Sequence, residues 1–574
     1  MILANLPGEW LTSFWLLSIG AGIGLILLVL SLLLFWLGGR FGLGKLVDSS
    51  PGAFTVIGGL LSLGFLAGGL FAWNWFTAAG QEVNWILAFL LLVPGCSFLG
   101  FGTAAMFRAR AQEQMFEWLQ EGVGLWLLVI SGVLGVFAVF GILGQQVPMI
   151  RFVARPVAML ESVRRIPLTG LQPEIRVKVL PASIDDSGSP VKVDFRGGEL
   201  KRIGFLSEQR IEFSPIPITP QSDREKILEL PGSSEMVYFS ALDVAEKLPK
   251  DYIENLYVRN LSDRELDLTI SLETQPEFPQ VNGIFVVGLA TWGAFLIILF
   301  QSALMPKESA ISWSTFKTET SQPLFMILLG VGIVFLVIAL YIPYNTFGED
   351  IKMYVTTGRP VILLLSIFFA VWAASKSVSE EIDGRTALTV LAKPLSRRQF
   401  LVGKTLGIGW AVGMLFLVIG LVFLFLVSYK TIYDGVESSK GALPWQDGYA
   451  EMAKVGPALV LGYMETMIFV FVSVMISTRL AIVSNLMICF SIYILGHITP
   501  MLLEKEDTFE SVTVVGQAIT TIIPVLEHFD VSAAIVGEAT VPAAYMGWTL
   551  VYTALYSGVA LLIALILFED RDLS

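Results

Sequence analysis

Apolar runs too long for a soluble core constrain this chain more than any other feature. Stretches without a single Asp, Glu, Lys or Arg cover residues 11–39, 51–81, 83–107, 122–150, 278–306, 321–348, 405–429, 480–503 and 539–568. A helix that crosses the hydrocarbon layer needs roughly 20 mostly apolar residues, and each run supplies them. Two further segments need argument. Residues 360–375 are uncharged but short, and extend by a turn around Lys376; residues 455–478 are apolar apart from Glu465. Counting both predicts an all-α polytopic membrane protein with about eleven transmembrane helices, five before about residue 306 and six after it.

The surviving charge is unevenly spread. Charged residues make up 15% of the chain, where a soluble domain carries roughly 25%. Residues 150–280 hold 38 of the 86 charges in 131 positions, which marks one water-loving insert. Within it, residues 175–179, 191–195, 210–213 and 266–272 alternate or cluster β-formers between turn signals such as Asp185-Asp186-Ser187-Gly188 and Arg196-Gly197-Gly198. A β-rich, sandwich-like domain is expected there. The predicted organisation is four spans in 1–149, the β-rich domain in 150–280, a fifth span in 281–306 and a six-span region in 307–574.

Lys and Arg in the short loops set the orientation. Arg40, Lys45, Arg108, Arg110, Lys307, Lys317, the basic residues of 376–404, Arg479 and Arg571 fall on one side. The opposite side holds Lys352, Arg359, Lys430, Lys440, Lys454 and Lys505 beyond the insert. The bias predicts an N-terminus and β-rich domain outside, with the C-terminus in the cytoplasm. Residues 1–10 contain no Lys or Arg, so no cleavable signal peptide is expected.

Several function classes drop out. A net charge of −12 offers no basic surface for nucleic acid. Cys96 and Cys489 both lie in apolar runs, too few for a disulfide framework, and His497 and His528 are the only histidines. No metal site and no cofactor are expected. Gly403-Lys404-Thr405 is not a phosphate loop, because Arg398 stands where that motif needs its first Gly.

The most ordered charged segment is 376–404. Residues 386–393 suit a two-turn helix that Pro394 ends. Ser396 with Gln399 reads as a capping box, and Leu395 with Phe400 as a hydrophobic staple. Glu380-Glu381, Gly384, Thr386, Leu391, Pro394, Ser396-Arg397 and Gly403-Lys404 resemble the coupling segment of type-2 ABC transporter permeases. The likeness covers about residues 308–574 and is strongest to the subgroup serving gliding motility and copper-enzyme maturation. Members commonly have Gly directly before the Thr, whereas Arg385 intervenes here, and the N-terminal five spans fall outside the likeness.

The resemblance implies a permease subunit of the cell membrane, bacterial, that works as a homodimer or heterodimer. A separate cytoplasmic ABC ATPase would bind ATP and magnesium and dock on 376–404. Glu380, Glu381, Gly384, Thr386, Leu391, Pro394, Ser396, Arg397, Arg398 and Lys404 become the ATPase-coupling residues, with Arg397 and Arg398 facing an acidic rim of the partner. The resemblance also implies a re-entrant outer loop in 504–538. Alternatives from the sequence are a membrane scaffold or mechanotransmission component whose β-rich domain binds an outside protein, and a secondary transporter.

Three further features carry expectations. Glu465 is the one carboxylate well inside a span, which costs a few kcal/mol unless it faces protein or water, so it is the translocation-pathway candidate. Residues 310–320 place Ile311, Trp313 and Phe316 near Glu308, Lys317 and Glu319, which suits an interfacial elbow with an aromatic residue at headgroup level, and residues 108–121 suit a second surface helix with Met115, Trp118 and Leu119 toward lipid. His497 reads as a polar residue near the outer end of its span, and His528 as part of the last outside loop.

Overall fold

The computed structural model describes residues 9–77, 85–144, 152–171, 174–181, 188–218, 227–230, 232–240, 244, 248–249, 251–342, 350–383, 395–437, 444–503, 516, 520–537, 539 and 541–570. Among them, eleven helices are long and apolar enough to cross a membrane. In chain order the spans are Thr12–Arg40, Pro51–Thr77, Trp85–Met106, Gly122–Leu143, Asn282–Leu304, Pro323–Leu340, Asp350–Ala374, Arg397–Glu437, Trp445–Ser477, Ile482–Leu503 and Ala543–Glu569. The protein is a polytopic α-helical membrane protein with an inserted β region. The chain divides into two compact units, residues 1–153 with 286–574, and Ala154–Phe285.

Two spans outgrow their apolar runs. The eighth has 41 residues and the ninth 33, about 60 and 50 Å of helix against roughly 30 Å of hydrocarbon. Their ends therefore carry polar chemistry, such as the buried Lys430–Asp434 ion pair at 2.8 Å. The seventh span grows mainly toward its N-terminus rather than around Lys376 alone. It starts at Asp350, carries Lys352, Arg359 and Pro360 within the helix, and ends in a π turn, Ser375–Ser379.

The sixth to ninth spans share one large core, with Phe325, Phe369, Phe400, Phe423 and Phe469 fully buried. The elbow helix, Pro306–Thr320, lies along the start of the eighth span. The contact depends on Gly403 and Gly407, one turn apart. A Cβ on Gly403 would sit 2.8 Å from the carbonyl oxygen of Glu308, and one on Gly407 2.6 Å from that of Ser312. Small residues at this spacing let two backbones approach in lipid.

This packing corrects two surface assignments. Phe316 points into the core and is buried, and Trp313 is half-buried with its indole N–H donated to the Ser302 hydroxyl at 3.2 Å. In the surface helix Ala109–Gln120, Met115 and Leu119 are buried with Phe107, Phe295 and Phe300, and Trp118 packs against them; Phe116 is the exposed aromatic. The apolar stripe of each helix finds protein before it finds lipid, which amphipathicity alone does not distinguish.

Among the described residues the second unit holds nine antiparallel strands: β1 Gly170–Leu171, β2 Ile175–Val179, β3 Ser189–Arg196, β4 Leu200–Ser207, β5 Ile211–Ser214, β6 Leu228–Leu230, β7 Ser233–Ser240, β8 Tyr252–Asn260 and β9 Leu266–Thr274. One sheet runs β1-β9-β4-β7 with β2 also on β9, and the other runs β3-β8-β5-β6. Their inner faces share one core, in which the rings of Phe205 from β4 and Phe213 from β5 lie 4.3 Å apart. Along β3, Val191, Val193 and Phe195 point inward and Lys192 and Asp194 outward, the period-2 pattern of a half-buried strand. The helix Pro156–Arg165 is tied to this unit by a two-pronged pair from Arg165 to the buried Glu199, at 2.9 and 2.7 Å.

Candidate functional site

The first candidate site gathers where the seventh span ends and the eighth begins. Gly384, Thr386, Leu391 and Pro394 lie outside the described residues. On the near side, the helical segment Glu380–Asp383 follows the π turn, with Glu380 exposed and Glu381 turned inward. On the far side the capping box forms as expected. The Gln399 amide donates to the Ser396 hydroxyl at 3.2 Å, and the Ser396 amide donates to Gln399 Oε1 at 3.1 Å. Two orphan donors are satisfied there, which fixes where the eighth span starts.

Lys404 joins the two sides. Its ammonium lies 2.6 Å from Glu381 Oε1, and both side chains are largely shielded from solvent. Beside them sits Glu319 at the end of the elbow helix, 1% exposed, accepting a hydrogen bond from Gln322 at 2.8 Å. Burial pushes the Glu319 carboxyl up to about 7, against the pull of Lys404 and Lys376; Glu381 adds to the rise. Elbow, seventh span and eighth span thus meet in one cluster of two carboxylates and two ammonium groups.

Arg397 and Arg398 turn toward the end of the eleventh span. Arg397 donates to the carbonyl oxygens of Phe568 and Glu569, at 3.4 and 2.9 Å, and Arg398 lies 3.3 Å from the Glu569 carboxylate. Arg479 reaches Asp570 at 3.3 Å. A guanidinium on the last carbonyls of a helix satisfies groups that have no partner in the helix and complements its dipole.

Sequence reasoning missed Asn485. Fully buried, its amide nitrogen lies 2.8 Å from the hydroxyls of Ser375, Ser473 and Ser477. It knots the π turn to the ninth and tenth spans beside the coupling junction. A lone Asn in an apolar span was the available signal.

The second candidate site surrounds Glu465, midway along the ninth span and 3% exposed. Among the described residues its Oε1 has no hydrogen-bond partner, and it lies 3.7 Å from Nε2 of His497 on the tenth span. Arg359 of the seventh span stands nearby but is engaged elsewhere. It pairs with Asp530, donates to the Ser532 hydroxyl at 2.9 Å and approaches the Phe529 carbonyl at 3.5 Å. Burial works to raise the Asp530 carboxyl, but bonds from the Ser532 hydroxyl and amide, together with Arg359, hold it below the usual range. Of the loop expected to be re-entrant, 504–515, 517–519 and 538 lie outside the described residues. Its described end packs Leu526 and Phe529 into the core, and the His528 carbonyl accepts the Tyr545 hydroxyl at 2.7 Å.

Eleven helices long and apolar enough to cross a membrane, the sixth to ninth of them sharing one large core, define a polytopic membrane protein among the described residues. A profile of the ABC-2 family transporter proteins matches residues 233–573, which spans β7 to β9 and the fifth to eleventh spans. The chain belongs to that family and is a membrane permease component of an ABC transporter. No match is found among curated proteins.

Proposed function

We propose that this chain is the membrane half of an ATP-driven exporter or extractor, working as a pair of permease subunits. A separate cytoplasmic ATPase carries ATP and magnesium and docks on residues 376–404. The observation that carries this reading is the partly shielded Lys404–Glu381 pair beside Glu319. It ties the two ends of the 384–394 segment to each other and to the elbow, so a push on that segment moves three helices together. The capping box at Ser396 keeps the eighth span stiff from its first turn.

The orientation with the C-terminus in the cytoplasm agrees with the pairs Arg398–Glu569 and Arg479–Asp570. They gather the basic loop residues and the end of the last span at one end of the bundle. On this reading Glu465 lies along the route that opens when the spans move, and the β-rich unit is free to engage a protein outside.

The test is affinity purification of the full chain from detergent extracts with its ATPase. Glu380→Lys with Leu391→Glu should abolish recovery of the ATPase while the chain still inserts. Undiminished recovery and unchanged ATP hydrolysis would reject the docking assignment.

A further inference from the structure

We propose that Glu465 and His497 form a proton-binding site between the ninth and tenth spans. The argument begins with the far side of the imidazole. Nδ1 of His497 lies 3.1 Å from the carbonyl oxygen of Tyr493, four residues back on the same helix. A backbone carbonyl only accepts, so Nδ1 carries the hydrogen, and in the neutral ring Nε2 is left with a lone pair. That lone pair faces Glu465 Oε1 across 3.7 Å.

Two facing acceptors repel, and the surroundings do not relieve them. Among the described residues, the charges acting on Glu465 are Arg359 from the seventh span and Asp530 from the loop before the eleventh, with Tyr493 as the further titratable neighbour on the tenth. Arg359 is committed to Asp530, Ser532 and Phe529. An ionised carboxylate at this depth costs a few kcal/mol without a counter-charge. One proton resolves both problems. On Oε1 it gives a neutral carboxyl that donates to Nε2, and on Nε2 it gives an imidazolium paired with the carboxylate. The separation is within ion-pair range, and a small rotation of either side chain closes it to a hydrogen bond.

The two partners differ in burial. His497 leaves 30% of its side chain uncovered by protein while Glu465 leaves 3%. The imidazole is the more peripheral of the two groups and the carboxylate the more enclosed. A proton arriving on Nε2 passes to Oε1, the Nδ1 hydrogen stays on the Tyr493 carbonyl, and the reverse movement releases it. Occupancy stabilises the packing of the two spans at this level, and loss of the proton sets two acceptors against each other and favours their separation. The site deepens the pathway assignment of Glu465, but its first test does not depend on the permease reading.

Because the chain has only two histidines, histidine-selective nitrogen-15 labelling of the full chain in lipid vesicles reports two imidazoles, and His528→Asn separates them. The expected result is an Nδ1 of His497 that stays protonated at every pH, with an Nε2 signal that responds to pH in wild type. Glu465→Gln offers an amide N–H in place of the stored proton, so the chain should fold while that response is lost or displaced. Superimposable titrations of wild type and Glu465→Gln would overturn the proposal. If Glu465→Gln fails to insert, infrared spectra of wild type and His497→Gln decide the matter. A displaced Glu465 carboxyl band in His497→Gln supports the site, and identical bands overturn it. Flattened pH profiles of ATP hydrolysis in both variants, measured with the partner ATPase, form a second arm. Failure to recruit an ATPase would reject the permease reading alone.

Discussion

Arg397 donates to the carbonyl oxygen of Glu569 at 2.9 Å, so the first residue of the eighth span closes the last turn of the eleventh. The contact links residues 172 positions apart. It fastens the start of the eighth span to the end of the eleventh.

Removing that fastening should loosen the end of the eleventh span. A charge-assisted bond to helix carbonyls contributes on the order of 1 kcal/mol when partly exposed. Arg397→Ala should therefore speed amide hydrogen exchange over 566–570 by roughly fivefold, with Arg397→Lys intermediate. Unchanged exchange would show that the bond holds nothing in place.

The Lys404–Glu381 pair is partly shielded from water, so breaking one half removes a close counter-charge. Such changes cost about 1–3 kcal/mol, while exchanging the partners keeps the pair. Lys404→Glu and Glu381→Lys should each lower the thermal midpoint in detergent sharply, and the double exchange should recover most of the loss. A double variant no better than the singles would mean that surrounding groups fix which sign sits where.

Glu319 makes stability depend on pH with a defined sign. Its carboxyl titrates at about 7 in the folded chain against an ordinary 4.5, so the folded state binds more protons between those values. Stability is then greatest below about pH 4.5 as far as this group is concerned, falls as pH rises to about 7, and is level above that. The span corresponds to about 3 kcal/mol. Glu319→Gln should flatten this part of the stability curve and raise the midpoint at pH 8. An unaltered pH dependence would contradict the placement of this carboxyl.

Gly407 should tolerate no side chain. A methyl group there meets the Ser312 carbonyl at 2.6 Å and the Thr315 side chain at the same distance. Overpacking of this kind costs about 1–3 kcal/mol, so Gly407→Ala should lower the thermal midpoint and Gly407→Leu should displace the elbow. A cysteine cross-link between the elbow and the eighth span would report that displacement. A cross-link unaffected by Gly407→Leu would show that the two helices do not need close contact.

Legibility in the sequence followed range. The eleven spans could be read because lipid selects for local hydropathy, and the Ser396–Gln399 cap because its partners are three residues apart. Strands β2 and β3 were visible as alternating apolar and polar residues. In contrast, β4 and β8 were missed: Ile253 to Val258 breaks simple alternation, and the continuous burial of Ile203 to Phe205 comes from strands on both sides. The elbow and the 109–120 helix showed their apolar stripes, but not that Phe316, Met115 and Leu119 would meet protein. The Gly403-x-x-x-Gly407 spacing was present but has meaning only once Glu308 and Ser312 lie opposite.

Sequence alone determined that the chain lives in a bilayer, that about eleven of its segments are long and apolar enough to cross it, that a β-rich insert interrupts them, and that Glu465 is out of place among apolar neighbours. Each of these depends on the solvent a short segment prefers. Tertiary structure decided the pairings: Glu465 with His497, Lys404 with Glu381, Arg397 with the end of the last span, and Asn485 with three serines. Burial gives these polar groups their chemistry, because a charge or hydroxyl removed from water must find its partner in whatever the fold brings beside it. That partner stands on another helix, at a distance along the chain that hydropathy does not register.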